Sequence, residues 1–217
     1  MNDSSENPPQ QPEGPDEPQQ PVEPAGNGGN DQLHMEQIRH APIGARLGEG
    51  VAEGVFATGA IVLRGPNEFV IDFVQALARP PRLAARVIVT PQVMEQFAAA
   101  LKDNIAKYEN RFGPPKEIPK PDPKQRRPLK EVYADLKLPD DKLSGVYANT
   151  VMIAHSPGEF MFDFITRLFP NAAVSARVYV SASQTPRVLQ TMDAALANYR
   201  SSQQQGPDQT QPPGESQ

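Results

Sequence analysis

His155-Ser156-Pro157-Gly158-Glu159-Phe160-Met161-Phe162-Asp163-Phe164 (HSPGEFMFDF) has a relative 91 positions earlier in the same chain, Arg64–Phe73 (RGPNEFVIDF). In both stretches the turn-forming residues come first, and apolar side chains then fall on every second position. That is the period of a β-strand with one buried face. Phe160, Phe162 and Phe164 line one side in the second stretch, and Phe69, Ile71 and Phe73 line it in the first. Glu159 and Asp163, like Glu68 and Asp72, fall on the opposite side. The expected unit is a hairpin turned at Gly65-Pro66-Asn67 or Ser156-Pro157-Gly158, with its rings on the core face.

The likeness extends outward without a gap. Gly54–Glu109 aligns with Gly145–Arg200 at a constant shift of 91, and 15 of the 56 positions are identical. One register across strand-like and helix-like segments points to an internal duplication. Two copies are too few for a solenoid, which usually needs at least three. Each copy begins with a β-prone run, Val55–Leu63 or Val146–Ala154, ahead of the ring-bearing strand. A third run follows, Ala85–Thr90 or Ala176–Ser181. The period then lengthens to that of a helix: Met94, Phe97, Ala98, Leu101, Ile105 and Tyr108 share a face, as do Val188, Leu189, Met192, Leu196 and Tyr199. Thr90-Pro91 suits an N-cap and first helical position, and Ser183 is the expected cap of the second helix.

The fold class expected from this pattern is α+β, with two tandem β-β-β-α modules. Each has an antiparallel sheet and one C-terminal helix over the ring face. A three-stranded module is marginal by itself and leaves sheet edges open, so the two copies are expected to form a pseudo-twofold dimer within one chain. The expected divisions are a Pro/Gln-rich acidic tail (1–33), the first repeat (34–112), a Pro-rich basic linker with a short helix near 129–137 (113–142), the second repeat (143–200) and a C-terminal tail (201–217). The first 31 residues hold seven prolines, seven acidic residues and no Lys or Arg. Such composition cannot bury enough apolar surface to offset ordering entropy, so both tails are expected to be disordered.

The set Val146-Tyr147-Ala148-Asn149, His155–Phe160 and Asp163-Phe164, with the helix Leu101-Lys102-Asp103-Asn104-Ile105-Ala106-Lys107-Tyr108-Glu109, resembles the bacterial domain-of-unknown-function family numbered 3467. The resemblance covers both repeats. It implies a small β-rich module and no assigned activity. The second copy keeps the strand signature, with Tyr147, Asn149 and Ser156, whereas the first has Phe56, Thr58 and Gly65 there. A site built on those polar residues would therefore be lost from the first copy.

Composition narrows the function classes. The chain has no cysteine, which excludes disulfides, thiolate catalysis and cysteine-bound metals. His34, His40 and His155 lack ligand spacing. There is no phosphate loop, dinucleotide fingerprint or zincin motif. We therefore expect no catalytic, cofactor-binding or metal-binding residues and no enzyme. A formal charge of −5 argues against a general nucleic-acid binder. The seven basic residues against two acidic ones in Arg111–Lys130 leave weak nucleic-acid contact by the linker as a lesser reading. No apolar run spans a bilayer and no secretory signal opens the chain, so a cytoplasmic setting is expected.

The paired carboxylates raise acid–base chemistry, yet no nucleophile or metal cage accompanies them. Asp72 and Arg86, and Asp163 and Arg177, are each 14 residues apart. Exposed cross-strand ion pairing is the expectation for both, each contributing about 0.2–1 kcal/mol. Together with Tyr147, Asn149 and Ser156, these are the candidate partner-contact or structural positions. The function expected is a non-enzymatic assembly or protein-binding module acting through a sheet edge or outer face, with a protein partner or self-association. The alternative is a binder of unfolded clients, similar at the fold level to export chaperones of the SecB type.

Overall fold

A computed structural model describes residues 44–119, 127–168 and 171–204. The two expected tails lie outside the described residues, except for the start of the second. In chain order the elements are α1 (Glu49–Ala52), β1 (Val55–Ala57), β2 (Gly59–Arg64), β3 (Phe69–Gln75), β4 (Arg82–Val89), α2 (Pro91–Phe112), α3 (Leu129–Asp135), α4 (Asp140–Leu143), β5 (Val146–Tyr147), β6 (Thr150–His155), β7 (Glu159–Leu168), β8 (Asn171–Ser181) and α5 (Thr185–Gln204). The protein is α+β, with two four-stranded sheets ordered β1-β8-β7-β6 and β2-β3-β4-β5.

Both sheets are mixed, which corrects the antiparallel expectation. β1 of the first copy lies parallel to β8 of the second, and β5 of the second lies parallel to β4 of the first. Each copy thus gives its first short strand to the other copy's sheet. The run read as one strand from Val55 to Leu63 is really two strands in two sheets, and Val146–Ala154 divides in the same way. The break falls at Thr58 and, 91 residues on, at Asn149. Thr58 Oγ1 donates to the Val74 carbonyl at 3.1 Å and accepts from the Ala76 N–H at 3.0 Å. Asn149 accepts from the Arg167 N–H at 2.7 Å and donates to the Arg167 carbonyl at 3.0 Å. A side chain that bonds backbone locally offers the chain an alternative to the ladder, and here it turns the strand out of one sheet toward the other. Each ring-bearing strand also carries a register shift at the same place, Phe73/Val74 and Phe164/Ile165.

The helices are exchanged too. α2 packs over β6 of the second copy and α5 over β2 of the first. Phe97 meets Phe162 and Phe164 at centroid distances of 5.3 and 5.4 Å, both edge-on, and Tyr199 meets Phe69 at 5.5 Å. The expectation that a helix covers its own copy's rings is thereby corrected. The two ring faces and both helices share one buried cluster, containing Phe69, Ile71, Phe73, Phe97, Phe160, Phe162 and Phe164. Thr90 caps α2 by accepting from Val93 N–H, with Pro91 following. Ser183 does not cap α5: it pairs with Ser181 at 3.1 Å, and the Gln184 carbonyl accepts the first helical bond from Val188.

Each crossing from one copy to the other begins at a left-handed glycine, Gly54 at φ 67° or Gly145 at φ 69°. A Cβ on Gly145 would lie 2.7 Å from Arg86 Cγ and 3.3 Å from the Arg86 carbonyl oxygen; one on Gly54 would lie 2.6 Å from the Tyr179 ring and 2.8 Å from Arg177 Cγ. The handedness penalty is about 1–2 kcal/mol, and crowding adds to it. Gly145→Ala is expected to lower the unfolding free energy by roughly 2–3 kcal/mol in a urea titration. Gly158→Ala, with open space around it, should leave it almost unchanged.

Candidate functional site

The charged face of each ring-bearing strand is where functional side chains were expected, and the two aspartates on it are buried rather than exposed. Asp72 is fully buried and Asp163 is 5% exposed. Arg86 grips Asp72 with two parallel bonds of 2.7 Å, from Nε and Nη2. Arg177 does the same to Asp163 at 2.7 and 2.8 Å. The third nitrogen of each guanidinium reaches into the other copy: Arg86 Nη1 donates to the Leu143 carbonyl at 2.9 Å, and Arg177 Nη1 to the Ala52 carbonyl at 3.4 Å. Those two carbonyls end α4 and α1. The bond to the carboxylate raises the affinity of both guanidiniums for their protons. These are fork-to-fork pairs of the strong kind, so the expectation of exposed pairs is corrected.

A phenol stands beside each arginine, Tyr133 at Arg86 and Tyr179 at Arg177, but the two clusters differ at the carboxylate. Tyr133, on α3, donates its hydroxyl to Asp72. Burial, and next the bond to Asp72, push the phenol above its usual range. The short helix expected near residues 129–137 is α3, and Leu136 just beyond it is buried. Its role as a lid on Asp72 was not readable from the apolar spacing of Leu129, Val132, Tyr133 and Leu136.

Between the two clusters lies a cavity of about 110 Å³, lined by Gly50, Val51, Gly54, Val55, Ala84, Ala85 and Arg86 together with the residue 91 positions beyond each of them. Its charges balance, because Arg86, Arg177 and Lys142 face Asp72, Asp163 and Asp141; Lys142 pairs with Asp141 at 3.1 Å. Both buried carboxylates already accept from arginine through each oxygen. Neither carboxylate is among the residues lining the cavity.

Tyr147, Asn149 and Ser156 are not gathered into one site. Asn149 and Ser156 stand at opposite ends of β6, whose six residues span about 20 Å. Asn149 holds the chain corner already described. Ser156 sits in the hairpin turn, donating to Glu159 and accepting from the Gly158 N–H at 3.2 Å. Thr58 does the work of Asn149 in the first copy, so the divergence there is a substitution within a corner. The Tyr147 carbonyl accepts from Thr166 at 2.6 Å, as the Phe56 carbonyl does from Gln75 at 2.9 Å. Tyr147 itself is 43% exposed. His155 packs among Tyr108, Phe112 and Phe160; His34 and His40 lie outside the described residues. Of the basic linker, residues 120–126 lie outside them too, and Arg127 pairs with Asp135 at 2.7 Å. Among the described residues no group of three or more His, Asp or Glu is arranged for a metal, and no helix is long and apolar enough to cross a membrane.

The outer sheet faces hold what the reading of alternate rings passed over. The strand registers set Leu63, Val70, Ile88 and Tyr147 side by side across one sheet. They set Ala154, Met161, Tyr179 and Phe56 side by side across the other. Each row is apolar or aromatic along its whole length, and each ends in an exposed aromatic ring supplied by the other copy, with Phe56 38% exposed. The signal lay in the strands themselves: Val70, Ile88, Met161 and Tyr179 occupy positions that a one-faced strand would give to polar residues.

The family described as protein of unknown function (DUF3467) matches the chain twice, over residues 1–117 and 115–205. The first match extends beyond the repeat into the N-terminal segment. No curated protein matches the chain.

Proposed function

Since the chain belongs to the protein-of-unknown-function family DUF3467, and carries it in two tandem copies, we propose that it is a protein-binding scaffold made as a covalently joined pseudo-twofold dimer of two modules. The exchanged first strands, the exchanged helices and the reciprocal arginine bonds support the pseudo-dimer. They recur at a shift of 91 residues on both sides of the shared core. In this reading the buried Asp–Arg clusters have a structural role, holding the two copies together.

The binding role rests on the two apolar rows, each crossing four strands and each completed by an aromatic residue from the other copy. Isolated surface apolar residues need no explanation, but contiguous ones mark interaction surfaces. Aromatic side chains are favoured there because they offer large contact area at small entropic cost. A chain without cysteine depends on no disulfide, and we place the scaffold in the cytoplasm. A photo-crosslinking amino acid at Phe56 or Tyr147, introduced in the native host, is expected to give the same discrete adducts from both positions and none from Lys102 on the exposed side of α2. Equal labelling from all three positions, or none from any, would sink the reading. The same rows favour one alternative, capture of unfolded clients. Suppressed aggregation of a chemically denatured enzyme, lost in Phe56→Ser, would select it.

A further inference from the structure

The two sheets differ at their free edges. Ser156 N–H donates to the Glu159 carbonyl at 2.9 Å, and β6 then pairs one-to-one with β7 from His155↔Phe160 to Thr150↔Ile165. Hydrogen-bonded pairs recur at every second residue of an antiparallel ladder. Ala154, Met152 and Thr150 therefore bond to β7, while Val151, Ile153 and His155 turn their backbone N–H and C=O outward. Among the described residues β6 has no strand on that side. The matching groups on β2 belong to Ala60, Val62 and Arg64. That edge carries a charge, and its Arg64 reaches across to the Asn198 carbonyl at 3.4 Å and to Ser202 of α5.

Sheet edges are ordinarily blunted by a charge, a proline, a bulge or a covering segment. β6 (TVMIAH) has no acidic or basic residue other than its terminal histidine, no proline and no register shift against β7. Its outward side chains Met152 and Ala154 are exposed, Met152 by 45%. Both adjoin the row of Met161, Tyr179 and Phe56.

We propose that the β6 edge takes an extended segment of a partner protein, about six residues long and apolar at alternate positions, as a fifth strand of this sheet. The proposal rests on the protein-binding reading and makes it specific. Outward-facing backbone groups at three alternate residues recognise an extended chain regardless of its sequence, and the apolar row selects alternate side chains. A second copy of this chain is the poorer occupant. An edge about 20 Å long on a sheet about 10 Å thick presents on the order of 200 Å², short of the roughly 800 Å² per partner that stable association needs, whereas it matches a short strand.

The full-length protein would be titrated with a fluorescein-labelled peptide, KTVTVTVTVK, against a control of equal charge, KTPTVTPTVK, following anisotropy and backbone amide exchange. The expected result is binding of the first peptide alone, with slowed exchange at Val151, Ile153 and His155. Ile153→Pro removes an outward N–H without removing a bond to β7, as edge strands allow. Met152→Lys restores the missing edge charge. Each variant should weaken binding at least tenfold, and Val62→Pro on the β2 edge of the other sheet should not. Should Ile153→Pro fail to fold by circular dichroism, Met152→Lys alone decides. Equal binding of both peptides, indifference to the β6 variants, or a dimer in sedimentation that Met152→Lys dissolves would each overturn the proposal. No peptide binding while the Phe56 adducts persist would overturn this edge assignment and leave the protein-binding reading standing.

Discussion

Phe97→Ala is expected to lower the unfolding free energy by about 3–5 kcal/mol, and to do so in a single cooperative transition. Phe97 is 1% exposed and presents its ring edge-on to Phe162 and Phe164. Phe73 meets the same two rings at 6.3 and 5.5 Å. One side chain of α2 thus closes an aromatic cluster drawn from both copies, and edge-to-face contacts contribute about 0.5–1.5 kcal/mol beyond burial. The counterpart 91 residues on is Val188, equally buried but smaller, so Val188→Ala should cost less than Phe97→Ala. Urea unfolding followed by far-UV circular dichroism and by tyrosine fluorescence would check both. Because the core is shared, the two signals should move together. A loss below 1 kcal/mol, or one half melting ahead of the other, would contradict the exchanged architecture.

How far the sequence carried the fold depends on which contacts are local. The ring-bearing strands, the hairpin turns and the amphipathic helices follow from spacing, because a period of 2 or 3.6 is written within about ten residues. The capping of α2 by Thr90 followed from the same kind of local pattern. The exchange was not readable in this way. Val55–Ala57 and Val146–Tyr147 show the same β-prone residues whichever sheet receives them, and only the corner residues Thr58 and Asn149 mark the break. The identical Gly54 and Gly145 were a usable sign, since a glycine retained at the head of each copy suggests a left-handed turn. Burial of Asp72 and Asp163 escaped for a related reason. An aspartate and an arginine 14 residues apart announce a cross-strand pair, but what covers that pair comes from α3 and from the other copy's helix ends. The outer apolar rows likewise emerge only when four strands, one of them exchanged, are set in register.

Asp72→Ala should be the costliest single change on the charged face, about 3–5 kcal/mol, because removing one partner of a buried pair leaves the other uncompensated. Arg86 would keep its bond to the Leu143 carbonyl but lose both bonds to the carboxylate, and the Tyr133 hydroxyl would lose its acceptor. Asp163→Ala should cost less. Asp163 is slightly exposed, and among the described residues no phenol donates to it, Tyr179 standing beside Arg177 instead. Tyr133→Phe separates the contributions: combined with Asp72→Ala it should cost less than the sum of the single changes, since the two side chains share one bond. The same phenol predicts an alkaline limit. Its proton is held more tightly in the folded protein than in the unfolded chain, where tyrosine titrates near about 10. The resulting stability is complete below that pH and declines as pH rises beyond it, because the unfolded chain releases its proton first. Urea midpoints measured from pH 8 to pH 11 should fall more steeply in the wild type than in Tyr133→Phe. Parallel curves, or equal costs for Asp72→Ala and Asp163→Ala, would show that α3 does not seal the first cluster.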